Sequence, residues 1–186
     1  MLAARSEPVT GTQTGNTSMP DNKNRSAPWD PSWMIWHAKE LQRVAQELGR
    51  REPNSPESDH LLARGKILAG PILLSLAVEV ALKAWQCQER QGAPAPTHDL
   101  LKLFEGLKPD TQQHLEAKMP AVPNPWLGWA IPVFEGLRKL LWSHRNEHTH
   151  WRYLYEDHFG TFETSELDRA LTVIIDAYGK RWAGSP

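Results

Sequence analysis

Beyond residue 28, apolar side chains recur every three or four residues, which is the period of an α-helix. Asp30 followed by Pro31 predicts where the first helix begins, because aspartate caps helix N-termini and proline suits the first helical position. The pattern predicts that this helix ends at Gly49. Its apolar positions are Trp33, Trp36, Leu41, Val44 and Leu48.

The longest apolar pattern predicts a second helix from about Asp59 to Arg90. It lies between a turn-rich segment at 51–58 and the sequence GAPAP at 92–96, which stops it. Pro71 is expected to kink this helix, because proline removes a backbone hydrogen bond. The apolar face is broad, which indicates contact with several neighbouring helices. Its members are Leu61, Leu62, Ile67, Leu68, Ile72, Leu73, Leu76, Val80 and Leu82.

Two short helices are predicted next. Thr97 can cap the first, which ends near Gly106, and the second covers residues 109–119. A connection rich in proline and tryptophan follows at 120–130 and contains Trp126 and Trp129. The two tryptophans would either close one end of a helical bundle or form an exposed patch.

A second long helix is predicted from about Val133 to Glu156, and a last helix opens at Ser165. No alternation of apolar and polar residues competes with these helical patterns. The sequence therefore predicts an all-α fold, an antiparallel bundle built on two long core helices. The buried face of the last helix is expected to comprise Leu167, Leu171, Ile174, Ile175 and Tyr178.

Composition divides the 186 residues into a tail and a body. Residues 1–28 have almost no large apolar side chains and are predicted to be disordered, whereas residues 29–182 form the bundle. A net charge of −1 gives no overall attraction to nucleic acid, so anion binding would need a local patch. The single cysteine, Cys87, fits a reducing compartment and reads as structural. We expect a cytoplasmic protein with no membrane partner, because no apolar run is long enough to span a bilayer.

The segment from Ser143 to Glu156, SHRNEHTHWRYLYE, concentrates the titratable side chains. Its first part matches H-x-x-E-H, in which His144 and His148 could share a zinc ion on one helical face. That motif needs a third ligand, and the glutamates that follow are all close by, so we expect no metal. No glycine-rich phosphate loop occurs, so we expect no cofactor.

Three segments together resemble the HEPN superfamily. They are SLAVEVALKAW at 75–85, THDLLKLFEGL at 97–107 and HRNEHTHWRYLYE at 144–156. The resemblance covers roughly residues 32–181. It is nearest to bacterial members with a Trp-Arg-Tyr-x-Tyr-Glu motif, here Trp151, Arg152, Tyr153, Tyr155 and Glu156.

The resemblance implies a homodimeric helical bundle and, in many members, a metal-independent endoribonuclease of a toxin or defence type. RNA and an antitoxin or regulatory protein are then the implied partners. Arg145 would stabilise the phosphate, Asn146 would position the substrate, and His150 would transfer the proton. His148 competes for the histidine role, because on an ideal helix it shares a face with Arg145.

Supporting roles are open to alternatives. Glu79 either forms a surface ion pair with Lys83 or reaches Arg145 or Arg152 and orients it. Arg152, braced by Glu79 or Glu156, would hold the site together. His98 and Asp99 are expected to organise a helix N-terminus. The aromatic side chains could stack RNA bases or belong to the core or a dimer interface; they are Trp142, Trp151, Tyr153 and Tyr155.

A second hypothesis belongs to a different class of function. The same basic helix could serve as the interface of a dimeric interaction module that catalyses no reaction. The two hypotheses differ in the surroundings of Arg145, which would lie exposed in a cleft in a ribonuclease and be used up by internal salt bridges in an interaction module.

Overall fold

The computed structural model describes residues 29–49, 60–119, 122–123, 132–134, 136–145 and 164–182. Apart from one pair of short strands, the regular secondary structure of these residues is helical, which confirms the predicted all-α class. The elements are α1 (Pro31–Gly49), α2 (His60–Arg90), α3 (Leu100–Glu105), α4 (Pro109–Lys118), β1 (Val122–Pro123), β2 (Pro132–Phe134), α5 (Leu137–Ser143) and α6 (Thr164–Trp182).

The first helix begins and ends where the sequence predicts. The Asp30 carboxylate accepts hydrogen bonds from the backbone N–H groups of Ser32 and Trp33, at 2.9 and 3.3 Å. These bonds satisfy two donors that lack partners within the helix. The fully buried residues of α1 are Ile35, Ala38 and Ala45, which are not among the predicted apolar positions. Val44, which is one of those positions, is exposed.

Helix α2 is the central element and packs against α1, α3 and α6. Alanines on its buried face let the neighbouring helices approach closely, and Trp85 fills the space beside them with no exposed surface. The Trp85 indole donates to the Ile174 carbonyl at 3.1 Å and meets the rings of Tyr178 and Trp182 edge-on. A buried indole N–H thus has a partner, and the contact joins α2 to α6.

The first and last described helices also contact each other directly. The Gln42 amide donates to the Asp168 carboxylate and to the Thr172 hydroxyl, both at 2.8 Å. Gln46 donates to the same Asp168 carboxylate at 3.0 Å. Because Gln42 reaches Thr172 while Gln46 reaches Asp168, α1 and α6 run antiparallel.

The prediction of a second long helix from residue 133 is wrong at its start. Residues Pro132–Phe134 are extended and pair antiparallel with Val122–Pro123. Strands of two and three residues that contain proline show no alternation, so the pattern could not indicate them. Gly136 then has a φ of 91°, a conformation that favours glycine, and the helix begins only at Leu137.

The same prediction is also wrong across residues 144–145, where α5 has already ended. The Ser143 hydroxyl donates to the Leu140 carbonyl at 2.8 Å, and the His144 N–H donates to that same oxygen. The next N–H, that of Arg145, donates to the Trp142 carbonyl three residues back instead of to the Leu141 carbonyl four residues back, so the α-helical ladder ends here. Residues 146–156 of the predicted helix lie outside the described residues.

The cap of α3 is Asp99 rather than Thr97. The Asp99 carboxylate accepts from the Lys102 N–H at 3.1 Å, whereas the Thr97 hydroxyl accepts from the Asp99 N–H. The predicted role of Asp99 at this terminus is confirmed, and so is the end of the helix at Gly106. The predicted buried face of α6 is confirmed at all five positions.

None of the described helices is apolar over enough length to cross a bilayer. The predicted disordered tail at residues 1–28 and the connection at 124–131 lie outside the described residues. The disorder of the tail, and the roles suggested for Trp126 and Trp129, stay predictions.

Candidate functional site

Of the site residues predicted from the sequence, the structure describes Arg145 and Glu79. It places them in two different clusters. The remaining predicted positions lie outside the described residues, and their roles stay predictions; they are Asn146, His148, His150, Arg152, Tyr153 and Glu156.

Arg145 belongs to a basic aromatic cluster at the end of α5. The Trp142 side chain is exposed, with 44% of its surface accessible. The Lys139 ammonium lies 4.4 Å from the Trp142 ring centre, and the Arg145 guanidinium lies 4.9 Å from it. Both cations therefore pack against the electron-rich ring of one exposed indole. We call Lys139, Trp142 and Arg145 the Trp142 cluster.

Arg138, next to this cluster, has a different role. Its guanidinium donates to Glu116, Glu105 and Gln112 at 2.8–2.9 Å and lies over the Phe104 ring. These contacts tie α5 to α3 and α4. Because its donors are directed at protein acceptors, Arg138 holds the surface together rather than presenting its charge to a ligand.

An open depression of about 430 Å³ lies beside the Trp142 cluster, between α3 and α5. Leu101, Arg138, Lys139 and Trp142 line it. Leu101 and the Trp142 indole give the depression apolar surface and Lys139 gives it a positive charge, which suits a flat aromatic group that carries a negative charge. We call it the α3–α5 depression.

Glu79 is the centre of the second cluster. Its carboxylate is largely buried, with 8% of the side chain exposed, and accepts from the Lys83 ammonium at 2.7 Å. The predicted Glu79–Lys83 ion pair is confirmed, although the pair is not a surface one. His98 Nδ1 lies 3.0 and 3.1 Å from the two carboxylate oxygens. Among the described residues, Glu79 thus contacts Lys83 and His98, whereas Arg145 lies on Trp142.

Cys87 shows no sign of a nucleophile. The thiol is buried and lies 3.9 Å from the Met34 sulfur. Burial raises the pKa of Cys87 above its usual value, because a thiolate is poorly solvated there. This agrees with the structural role predicted for it.

Within the described ranges, no three His, Cys, Asp or Glu side chains converge. Of the H-x-x-E-H motif, only His144 is described, and it is buried at the end of α5. Glu147 and His148 lie outside the described residues, so the zinc alternative stays a prediction.

Lys139 and the partner of His98 were not predicted from the sequence. Lys139, Trp142 and Arg145 recur every three residues, and this spacing could have indicated that they meet. No comparable signal links Glu79 with His98, because the contact depends on how α3 packs against α2.

No protein-family model matches the chain, and no curated protein or solved structure is significantly similar to it. The family resemblance therefore rests on the sequence motifs alone.

Proposed function

We propose that this protein binds single-stranded RNA at the Trp142 cluster, as a HEPN-like helical bundle, and cleaves it without a metal ion. The observation that carries the proposal is an exposed indole flanked by two cations beside an open depression. A homodimer and a regulatory antitoxin-type partner belong to the same proposal, since the resemblance implies them.

The chemistry of the cluster suits a single strand. An exposed indole can stack a base of any sequence, and cations beside it can neutralise the adjoining phosphates. A base that stacks on Trp142 would displace Lys139 or Arg145 from the ring. The displaced cation would then lie within reach of the backbone of the same strand.

The surroundings of Arg145 favour this function over a purely structural one. Arg145 is half-buried, and its guanidinium forms no ion pair with the described carboxylates. Arg138, seven residues earlier, is held by two glutamates. An arginine that rests on an aromatic ring keeps its fork of donors for a phosphate.

Binding can be tested with a labelled single-stranded RNA by fluorescence anisotropy. We expect Trp142→Ala to weaken binding by about 1–3 kcal/mol, or roughly 5- to 150-fold in Kd. Lys139→Ala and Arg145→Ala should each reduce the slope of log Kd against log salt by about 0.7. Trp29→Ala is the matched control, because Trp29 is 46% exposed and lies at the start of α1. If Trp142→Ala and Trp29→Ala bind RNA equally well, the proposed surface is wrong.

Cleavage needs a separate assay, with mixed RNA in EDTA. The wild-type protein should cut the RNA, and Arg145→Ala and His150→Ala should not. RNA binding without cleavage by the folded wild-type protein would leave an RNA-binding domain and refute the ribonuclease.

A second candidate is a non-catalytic interaction module with its interface on α2, instead of on the basic helix considered from the sequence, and one observation favours it. Ile72 and Leu76 lie one turn apart on α2 and are both exposed, although the sequence predicts them on its buried face. An exposed apolar pair on a core helix suits a partner surface. Its test is whether Ile72→Gln/Leu76→Gln changes the oligomeric state measured by light scattering while RNA binding is unchanged.

A further inference from the structure

The two cations of the Trp142 cluster lie where a stacked base would lie. The Lys139 ammonium is 4.4 Å from the centre of the Trp142 ring, and the Arg145 guanidinium is 4.9 Å from it. Stacked aromatic rings have their centres about 4.5–7 Å apart. An incoming base therefore competes with the protein's own cations for the same indole, although 44% of the Trp142 side chain is exposed.

The local chain brings both cations to the ring. Lys139 comes three residues before Trp142 and Arg145 comes three residues after it, and side chains at this spacing are neighbours on a helical surface. Arg145 lies just beyond α5, but its N–H donates to the Trp142 carbonyl at 3.4 Å and keeps it one turn from the indole. A guanidinium is weakly hydrated and stacks readily on aromatic rings. The contacts with Trp142 thus belong to the ligand-free protein.

The cost of displacing a cation depends on the charge of the ligand. An exposed contact between a cation and an aromatic ring is worth a factor of about 2–5 in an equilibrium constant. A neutral base that displaces the cation loses this factor and offers the cation nothing in return. A base with an adjoining phosphate offers it an anion, and one phosphate contact to a single strand is worth a factor of about 5 at 0.1 M salt relative to 1 M. The exchange therefore favours ligands that carry phosphate.

We propose that Lys139 and Arg145 determine the specificity of the Trp142 cluster, because they oppose the stacking of uncharged aromatic molecules and favour bases with an adjoining phosphate. The inference rests on the proposed function and deepens it, since it assigns phosphate-bearing bases as the ligand class of that site. Each cation has two effects of opposite sign, one on stacking and one on anion binding. Removal of a cation should therefore separate neutral ligands from anionic ones.

Adenosine and adenosine 5′-monophosphate are suitable probes, because they share a base and differ by the phosphate. Their binding can be followed by NMR on the indole N–H signal of Trp142, which is identified by its absence in Trp142→Ala. At 0.1 M salt, Lys139→Ala and Arg145→Ala should each bind adenosine about 2- to 5-fold more tightly than the wild type does. The preference for the monophosphate over adenosine should fall by about 5-fold in each variant.

Three further variants are the controls. Lys180→Ala and Arg169→Ala should leave both Kd values unchanged, because these side chains are exposed on α6 and neither lies over an aromatic ring of the described residues. Arg145→Lys keeps the charge and should keep most of the preference for the monophosphate, which a loss of local structure would not allow. Equal melting temperatures of the variants and the wild type would show that the fold is intact.

The possible results separate the inference from the proposed function. Tighter binding of adenosine by both alanine variants, together with a reduced preference for the monophosphate, would support the inference. If neither variant binds adenosine more tightly than the wild type, the cations do not oppose stacking and the inference is wrong, even where RNA still binds at Trp142. If the wild type and Trp142→Ala bind RNA equally well, the proposed function fails first and the inference fails with it.

Discussion

Gln86 offers the sharpest test of how the bundle positions its candidate site. The side chain has no exposed surface and joins α2 to two segments that follow it. Its amide nitrogen donates to the Leu103 carbonyl at 2.7 Å, and its amide oxygen accepts from the Ala95 N–H at 2.8 Å. The first bond anchors α3, and the second anchors the chain that leads to His98.

The substitution Gln86→Leu keeps most of the side-chain volume and removes both bonds. It leaves a buried carbonyl and a half-buried N–H without these partners, and an unsatisfied buried group costs about 1–3 kcal/mol. Two such groups together would cost about 2–6 kcal/mol. Water can reach the half-buried N–H of Ala95 more easily than the Leu103 carbonyl, so we expect a cost in the lower half of this range. We therefore expect Gln86→Leu to lower the free energy of unfolding by about 2–4 kcal/mol, and Tm by roughly 5–15 °C.

The assay is thermal and urea unfolding followed by circular dichroism. Gln88→Leu is the matched control, since Gln88 lies two residues further on α2 and its side chain makes no hydrogen bond to the described residues. The control should change Tm little. A Gln86→Leu protein as stable as the control would refute the reasoning, because the two buried bonds would then contribute nothing.

Two further predictions concern Gly106 and Tyr178. Gly106→Ala should destabilise the fold by about 1–3 kcal/mol in urea unfolding, because the new Cβ would lie 2.6 Å from Gln86 Nε2. Gly92→Ala is the control and should have little effect, because its nearest contact would be at 3.8 Å. Burial, more than the nearby charges, raises the pKa of Tyr178 to about 12. Because the unfolded pKa is about 10, the Tyr178 contribution to stability is present below about pH 10 and is lost as pH rises to about 12. Tyr178→Phe should flatten this alkaline loss in urea midpoints; an equally steep fall in the variant would contradict the assignment.

The helical periodicity predicted the elements whose ends carry strong local signals. Asp30 with Pro31 located the start of α1, and Gly106 located the end of α3. The prediction failed where backbone hydrogen bonds depart from the helical period. Residues 132–134 pair with the strand at 122–123, and the Arg145 N–H donates to the Trp142 carbonyl three residues back instead of continuing α5.

The candidate site was predictable only in part. The spacing of Lys139, Trp142 and Arg145 is local, so the sequence contains the information that brings them together. The Glu79–His98 contact joins residues 19 apart through the packing of α3 on α2, and no periodicity indicates it. The predicted partnership of Glu79 with Lys83 is local again, at a spacing of four residues.

The antiparallel contact between α1 and α6 has a consequence for how the chain could be rearranged. Gln42 and Asp168 are 126 positions apart, so their contact forms only after a long loop has closed. The charge of Asp30 raises the pKa of Tyr178, and a side-chain hydrogen bond with Ser32 lowers it. The start of α1 therefore lies beside the end of α6. A circular permutant that joins α6 to α1 by a short linker, and opens the chain before α2, would turn this distant contact into a local helical hairpin. Since folding rates rise as contacts become local, such a permutant should fold faster than the natural order.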